Sequence, residues 1–269
     1  MKNDLEEIGW RFHSHGLLHG TYSHSALQTP LAEAFTKQVS TKTEFLRTGP
    51  LIWGLTKKRI SDPGLKEKLA GKHANSRIVV HAGTPKGSRA MHFHVYETPD
   101  EYVAALRELV AAVDKTEDVF LIIKYRPAQI STKDLLTLLP ESDRFCVSVE
   151  ESFLDVLGIS DLLVSFSSTT IEEAFQNLVP VLLYGGNGRY QHVAAPHVAQ
   201  GVPVSPGPVF AIHSPEHLED GLIRILDANG NAPLPEELFQ DYTYQDKDVK
   251  RLPELVGDLL KSNQNGNKG

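Results

Sequence analysis

The feature that most constrains the fold of this chain is a series of short, unbroken apolar segments separated by amphipathic ones. A strand that is apolar throughout is buried on both faces, and such strands belong to parallel sheets covered by helices. From residue 77 onward the apolar segments are RIVVHA, VFLIIKY, FCVSV, DLLVSF, VPVLLYGG and VFAIH. The stretches between them, such as PDEYVAALRELVAAV, carry apolar residues at helical spacing. The sequence therefore predicts an α/β fold: a Rossmann-like parallel sheet with helices on both faces.

This fold class also predicts where a ligand binds. Open parallel sheets bind ligands beyond the carboxyl ends of their strands, at the crevice where the strand order reverses. Each loop that joins a strand to the following helix is therefore a candidate binding site.

The first 60 residues differ from the rest of the chain. They contain several histidines, a helix-like stretch LAEAFTKQV and a short strand EFLRTG at 44–49. That is too little alternating structure for a complete second α/β domain. We predict a short N-terminal segment at 1–60, a Rossmann-like domain at 61–261 and a disordered polar tail at 262–269.

The composition narrows the range of partners. The formal net charge is −7, so no basic field favours nucleic acid, and an anionic ligand must be bound by a local site. No stretch approaches the roughly 18–20 apolar residues of a membrane span, which leaves only peripheral contact with a membrane surface. The start MKNDLEEIGW lacks the apolar core of a signal peptide, so we expect a cytoplasmic protein.

Cysteine and histidine usage argues against a metal centre. The single cysteine, Cys146, excludes an internal disulfide, and its apolar surroundings FCVSV are typical of a buried side chain rather than a nucleophile. The pairs His13/His15 and His92/His94 face one side only in an extended strand, and no nearby carboxylate completes a ligand shell. We therefore expect no metal and no resident cofactor.

The loop SFSSTTIEEAF lies where a predicted strand meets a predicted helix. Its hydroxyl residues are Ser167, Ser168, Thr169 and Thr170. A helix cap needs one or two hydroxyls, so four of them favour an anion site, with phosphate as the commonest occupant. Capping alone is the alternative interpretation.

Two glutamates, Glu172 and Glu173, follow these hydroxyls. Either one closes a capping box, or it points away from the anion and accepts hydrogen bonds from a ribose or sugar. The sequence leaves open which of the two does so.

Two more loops place cations at predicted carboxyl ends. IIKYRPA contributes Lys124 and Arg126, and arginine has a planar fork that suits phosphate. HAGTPKGSR contributes Thr84 and Lys86 beside glycines that allow close backbone approach. We expect all four side chains at the phosphate of a bound nucleotide, which would be the donor phosphate in a transferase.

A fourth loop, YGGNGRYQH, begins with Gly185 and Gly186. We expect it to close over a base or sugar, with a plain turn as the alternative. The sequence contains no Walker A motif, no GxGxxG at the first strand-to-helix turn and no GxSxG elbow. These absences argue against a P-loop enzyme, a nicotinamide dehydrogenase and an α/β-hydrolase.

The order of these motifs resembles the C-terminal half of GT-B glycosyltransferases. KYRP, an SS loop that opens a helix with a Glu, and the Pro-led strand LVPVLLYG occur in that family's order. The likeness is nearest to bacterial surface-polysaccharide enzymes: CDP-glycerol glycerophosphotransferases, sialyltransferases and Kdo transferases. HGTY at 19–22 and RTGP at 47–50 are similar to the family's upstream motifs, so the resemblance covers most of residues 15–227.

The resemblance implies roles for particular residues. Ser167 and Ser168 would bind the donor phosphate, as would Thr169 beside them, and Glu172 or Glu173 would face the ribose or sugar. Lys124 and Arg126 would take the place of the family's K-x-H-P motif. Here Arg126 replaces the histidine, and an arginine cannot act as a general acid near neutral pH.

His19 matches the histidine that serves as base in the glycerophosphotransferase branch, and His15 is the rival candidate. The implied function is transfer of a sugar or polyol phosphate from a CMP-, CDP- or UDP-type donor to a glycan or polyol acceptor of the cell surface. The segment 1–60 would be a remnant of, or a linker from, an acceptor domain. A non-catalytic nucleotide- or sugar-binding module is the alternative. A non-hydrolysing nucleotide-sugar epimerase is less favoured, because SSTT replaces the usual glycine pair.

Overall fold

The structure is a computed structural model that describes residues 23–36, 43–51, 62–83, 97–126, 130–186, 191–230 and 233–266. The chain divides into two compact units. The large unit is Lys57–Leu238, and the small unit combines Met1–Thr56 with Phe239–Gly269.

The strands, in chain order, are β1 (His24–Leu27), β2 (Glu44–Arg47), β3 (Arg77–Ala82), β4 (Val119–Lys124), β5 (Phe145–Ser148), β6 (Leu162–Ser165), β7 (Val181–Leu183) and β8 (Val209–Ala211). The helices are α1 (Pro30–Thr36), α2 (Pro63–Ala70), α3 (Pro99–Asp114), α4 (Thr132–Leu138), α5 (Phe153–Gly158), α6 (Thr170–Gln176), α7 (Leu218–Asn229) and α8 (Leu252–Gly266).

The large unit is built on a six-stranded sheet with the order β5-β4-β3-β6-β7-β8. All five pairings are parallel, which confirms the predicted parallel α/β sheet. The chain enters at β3, builds outward to β5, and then crosses back to β6 on the other side of β3. The strand order therefore reverses between β3 and β6, and a crevice forms at their carboxyl ends.

Both faces of this sheet are covered. Leu121 and Ile123 of β4 belong to one apolar cluster with residues of α3 and α7. Ile122, which points to the opposite face of the strand, is also fully buried. Burial of successive residues is possible only with a layer on each side, which is why the strands are apolar without interruption.

Local capping signals fix where most helices of the large unit start. Thr98 and Glu101 form a reciprocal capping box at α3, and the hydroxyls of Ser131 and Ser152 cap α4 and α5. Helix α6 is different, because Thr169 at its N-cap position makes no side-chain capping bond.

The small unit contains a strand–helix–strand motif. β1 and β2 pair in parallel, with His24 opposite Glu44, and α1 connects them. α1 covers the first part of the predicted helix LAEAFTKQV, whose last three residues lie outside the described residues, and β2 covers residues 44–47 of the predicted strand at 44–49.

A polar cluster links the C-terminal part of this unit to the strand–helix–strand motif. Glu33 of α1 accepts two hydrogen bonds from the Arg47 guanidinium, at 2.7 and 2.8 Å. The buried Tyr244 donates its hydroxyl to the same carboxylate at 2.9 Å. The backbone N–H of Lys250 donates to the Arg47 carbonyl at 3.1 Å.

The C-terminal region differs from what the composition predicts. α8 continues to Gly266, within the segment 262–269 that was expected to be a disordered tail. Residues 239–261 group with the small unit rather than with the predicted domain at 61–261. A helix that is already nucleated by apolar residues extends at little cost into a polar stretch.

Candidate functional site

A cavity of about 410 Å³ opens at the carboxyl edge of the large sheet. Its walls are the loops that follow β3, β4 and β5, together with the loop and first turn of α6. Because the strand order reverses between β3 and β6, the cavity lies at the crevice where this fold class binds ligands. Its volume falls within the range of small-molecule sites, roughly 300–1,000 Å³.

Three of the predicted hydroxyl residues line the cavity: Ser168, Thr169 and Thr170. Ser168 Oγ accepts a hydrogen bond from the Thr170 backbone N–H at 3.3 Å, so this hydroxyl caps the helix. The Oγ1 atom of Thr170 is buried and has no hydrogen-bond partner in the described part of the chain. Ser167 is half-buried and is not among the lining residues. Capping of the helix therefore accounts for the Ser168 hydroxyl, whereas the Thr170 hydroxyl has no partner among the described residues.

The loop after β4 brings two predicted cations to the cavity, in different states. Arg126 is exposed, and within the described ranges its guanidinium makes no hydrogen bond or ion pair. The Lys124 ammonium donates to the backbone carbonyl of Val149 at 3.0 Å, and burial lowers the pKa of this amine. Arg126 is therefore available to an anionic ligand, whereas Lys124 already binds the loop that follows β5.

The structure separates the two glutamates of α6. Glu173 lines the cavity. Burial raises the pKa of its carboxyl, while the charge of Arg126 opposes that rise. Glu172 points elsewhere and contacts His192, with 2.7 Å between Oε1 and Nε2. The contact with His192 was not predictable from the sequence, because the two residues are 20 positions apart in the chain.

A second contact that the sequence did not reveal lies at the wall formed by the loop after β5. Glu151 lines the cavity, accepts a hydrogen bond from Ser148 Oγ, and pairs with Lys68 at 2.9 Å. These two partners lower the pKa of Glu151 to about 2. The carboxylate is held in place by protein groups and stays ionised at neutral pH.

The β3 side of the cavity is formed by Ala82 and Gly83. Tyr102 of α3 donates its hydroxyl to the Gly83 carbonyl at 3.3 Å. His81, the residue before this wall, is buried and packs edge-on against the Tyr102 ring, with 5.7 Å between ring centroids.

Gly185 and Gly186, expected at a base or sugar, pack against the Phe166 ring. Both have positive φ, 131° and 56°, and a side chain on Gly186 would overlap that ring. They are not among the residues that line the cavity.

Several predicted site residues lie outside the described residues: His19, His15, Thr84 and Lys86, together with the pairs His13/His15 and His92/His94. Within the residues that the structure describes, no three His, Cys, Asp or Glu side chains are placed to hold a metal ion. Cys146 is partly buried in β5, and burial raises the pKa of its thiol to about 12. A thiolate nucleophile is thus disfavoured. None of the described helices is long and apolar enough to span a membrane.

No protein-family model and no curated protein matches this sequence. Solved structures do match the fold. The S. aureus MnaA–UDP complex has 12% sequence identity and a TM-score of 0.54, and the match covers 90% of this chain and 60% of that one. The UDP-GlcNAc 2-epimerase from Neisseria meningitidis, bound to UDP-GlcNAc, has 14% identity and a TM-score of 0.51, with 87% and 60% covered.

The wall teichoic acid polymerase TagF, soaked with CDPG, has 13% identity and a TM-score of 0.49, with 92% and 59% covered. At 12–14% identity, the two likenesses with a TM-score above 0.5 establish the fold alone. They confirm the Rossmann-like architecture that the sequence predicts. The chain spans 59–60% of the length of these three structures.

Proposed function

We propose that the cavity binds a nucleotide-activated donor and that the chain is a GT-B glycosyltransferase or its donor-binding half. The observation that carries this proposal is that, within the described residues, a guanidinium without a partner and a buried hydroxyl without a partner belong to residues that line one cavity at the switch point of the sheet. Arg126 supplies the first and Thr170 the second. A phosphate in this cavity would accept hydrogen bonds from the guanidinium, and from the Thr170 hydroxyl once that side chain turns toward the cavity.

The rest of the cavity suits the remainder of such a donor. Glu173 is a half-buried carboxylate opposite Arg126. A carboxylate accepts two hydrogen bonds from vicinal hydroxyls, which fits a ribose next to the phosphate. Glu172 is less suited to this role, because one of its oxygens is bound to His192.

In the proposed reaction the acceptor oxygen forms a bond to the transferred group while the bond to the nucleotide phosphate breaks. The chain's part is to hold the departing phosphate, with Arg126 and the α6 hydroxyls stabilising its developing charge. His19, or His15 in its place, would accept the acceptor's proton. No metal enters this proposal.

The acceptor is proposed to be a glycan or polyol of the cell surface, acted on in the cytoplasm and at most at the membrane surface. Because the chain spans about 60% of the matched structures, a non-catalytic nucleotide-binding module is the second candidate. Nucleotide-sugar epimerisation, the activity in the name of the matched Neisseria meningitidis protein, is a third reaction to be assayed.

Titration with CMP, CDP, UDP and GDP, followed by thermal unfolding and calorimetry, tests donor binding. We expect at least one nucleotide to stabilise the protein. Arg126→Gln should weaken binding roughly 10–100-fold, because a hydrogen bond to a charged group is lost. The matched control is Arg107→Gln, which removes an exposed arginine of α3 that does not line the cavity. If no nucleotide binds, or if R126Q binds as tightly as wild type, the proposal is wrong.

Turnover separates the enzyme from the binding module. With the nucleotide identified, donor hydrolysis, transfer to glycan or polyol acceptors, and 2-epimerisation are assayed in parallel. We expect transfer, abolished in His19→Ala with nucleotide affinity unchanged. Binding without any turnover would establish the module instead.

A further inference from the structure

One titratable group at this site has no role in the proposed function. His81 lies at the end of β3 and is only 6% exposed. Its Nδ1 atom is buried and has no hydrogen-bond partner among the described residues. Buried polar atoms are nearly always hydrogen-bonded, so an orphaned ring nitrogen needs an explanation.

The position of the ring suggests one. A Cβ atom placed on Gly83 would lie 3.5 Å from His81 Cε1 and 3.9 Å from Nε2. Gly83 lines the cavity, so the imidazole edge lies directly behind a wall that carries no side chain. A ligand charge next to Gly83 would therefore lie close to the ring.

The surroundings of the ring are otherwise uncharged. In the described chain its cross-strand neighbours are Ile123 on β4 and Val164 on β6. From α3 it meets Tyr102, whose pKa burial raises far above neutral, so this phenol stays neutral. Lys124 of β4 lies opposite Ala82, the next residue along β3, and no charged group of the described residues contributes to the shift of the His81 pKa.

Burial alone lowers the pKa of His81 to about 4, so the ring is neutral in the empty protein at physiological pH. A phosphate bound about 6 Å away would favour the imidazolium through the low-dielectric wall. With an effective dielectric constant of about 20, a unit charge at this distance makes protonation of His81 about 100-fold more favourable and so raises its pKa.

We propose that His81 is a proton-linked residue of the phosphate site, which takes up a proton when the nucleotide phosphate occupies the cavity beside Gly83. The imidazolium then favours the more highly charged phosphate, so affinity rises as the pH falls. This inference rests on the proposed nucleotide site and adds a residue to it.

Calorimetry of nucleotide binding in two buffers of different ionisation enthalpy counts the protons taken up. The probe is the nucleotide that stabilises the protein most in the titration above. For wild type we expect about 0.7 proton at pH 5.5 and less than about 0.1 at pH 7.5. The nucleotide's own phosphate also titrates near pH 6, so the quantity that counts is the difference between wild type and His81→Gln.

We expect H81Q to lose the protein's share of this proton uptake. We also expect the ratio of the H81Q Kd to the wild-type Kd to be about fourfold larger at pH 5.5 than at pH 7. The matched control is His217→Gln, a half-buried histidine of the same unit that does not line the cavity. It should keep the wild-type uptake.

If H81Q does not fold, histidine-labelled NMR spectra of the wild type give the answer, because the ring shifts of His81 report protonation on addition of nucleotide. The inference is wrong if H81Q takes up as many protons on nucleotide binding as wild type does, or if the His81 ring stays neutral in the complex at pH 5.5. Neither result would contradict the nucleotide site itself. Absence of any nucleotide binding overturns both.

Discussion

Thr170→Val separates stability from binding at the candidate site. The Thr170 Oγ1 atom is buried and unpartnered in the described chain, and it belongs to a residue that lines the cavity. Burying a hydroxyl without a hydrogen bond costs about 1–3 kcal/mol. Valine has nearly the same shape and a similar helix propensity, so the substitution removes the penalty without creating a hole.

We therefore expect T170V to raise the free energy of unfolding of the large unit by about 1 kcal/mol, equivalent to roughly 2–4 °C in Tm. The same change should weaken nucleotide binding, because a hydrogen bond to a charged oxygen contributes about 1.5–3 kcal/mol. That corresponds to roughly 10–150-fold in Kd. A stabilised protein that binds its ligand poorly is the expected signature.

Urea unfolding followed by circular dichroism measures the first effect, and calorimetry with the best nucleotide measures the second. Since the chain has two compact units, the transition to analyse is the one that the nucleotide shifts. Thr169→Val is the matched control, because the Thr169 side chain is exposed and its substitution should change stability by less than about 0.5 kcal/mol. T170V that is less stable than wild type, or that binds nucleotide equally well, would refute the reasoning.

Three other substitutions test the packing and charge networks. Gly186→Ala should destabilise the large unit by about 2–4 kcal/mol, since φ is 56° and the new Cβ would lie 2.5 and 2.7 Å from Phe166 ring carbons; urea unfolding measures this loss. Tyr244→Phe should cost the small unit about 1 kcal/mol by removing the hydrogen bond to Glu33, read from the same titration. Glu151→Gln should reduce the loss in free energy of unfolding that occurs as the pH falls below about 4.5. Because the folded pKa of Glu151 is about 2, below its ordinary 4.5, its contribution is complete above about pH 4.5 and is lost as the pH falls toward 2.

Each of these three predictions can be contradicted by a stated outcome, and two of them have a matched control variant. Gly201→Ala is matched to G186A, because Gly201 has φ of 74° but open space around it, so only the backbone penalty of about 1 kcal/mol remains. Equal losses in the two variants would mean that the Phe166 contact is not tight. An unchanged midpoint in Y244F would show that the hydroxyl bond contributes nothing net. Glu150 is exposed, so E150Q is the control for E151Q. If the free energy of unfolding of E151Q falls with acid as steeply as that of wild type, other carboxylates cause the pH dependence.

Much of the fold could be predicted because burial leaves a direct mark on composition. β4 is apolar at every position from Val119 to Ile123 and is fully buried on both faces. Helix starts were equally visible, since Ser131 and Ser152 cap the helices that follow them. The extension of α8 to Gly266 was not predicted, because polar composition does not reveal that a preceding apolar turn has already nucleated the helix.

The candidate site was predictable only in part. The loops were identified correctly as neighbours, since carboxyl ends of parallel strands meet at one edge, and Arg126 does lie in the same cavity as Ser168 and Thr169. Which glutamate faces the cavity was not predictable from the motif. Successive helical residues differ by about 100° in direction, so Glu173 lines the cavity while Glu172 reaches His192.

By itself, then, the sequence determined the class of fold, the helix starts and the loops at which chemistry is to be sought. These follow from the local spacing of apolar and hydroxyl residues. Tertiary structure decided the strand order, the pairing of Glu151 with Lys68 and the position of His81 behind Gly83. Such contacts join residues on different elements, and their energies depend on distances that only the folded packing sets.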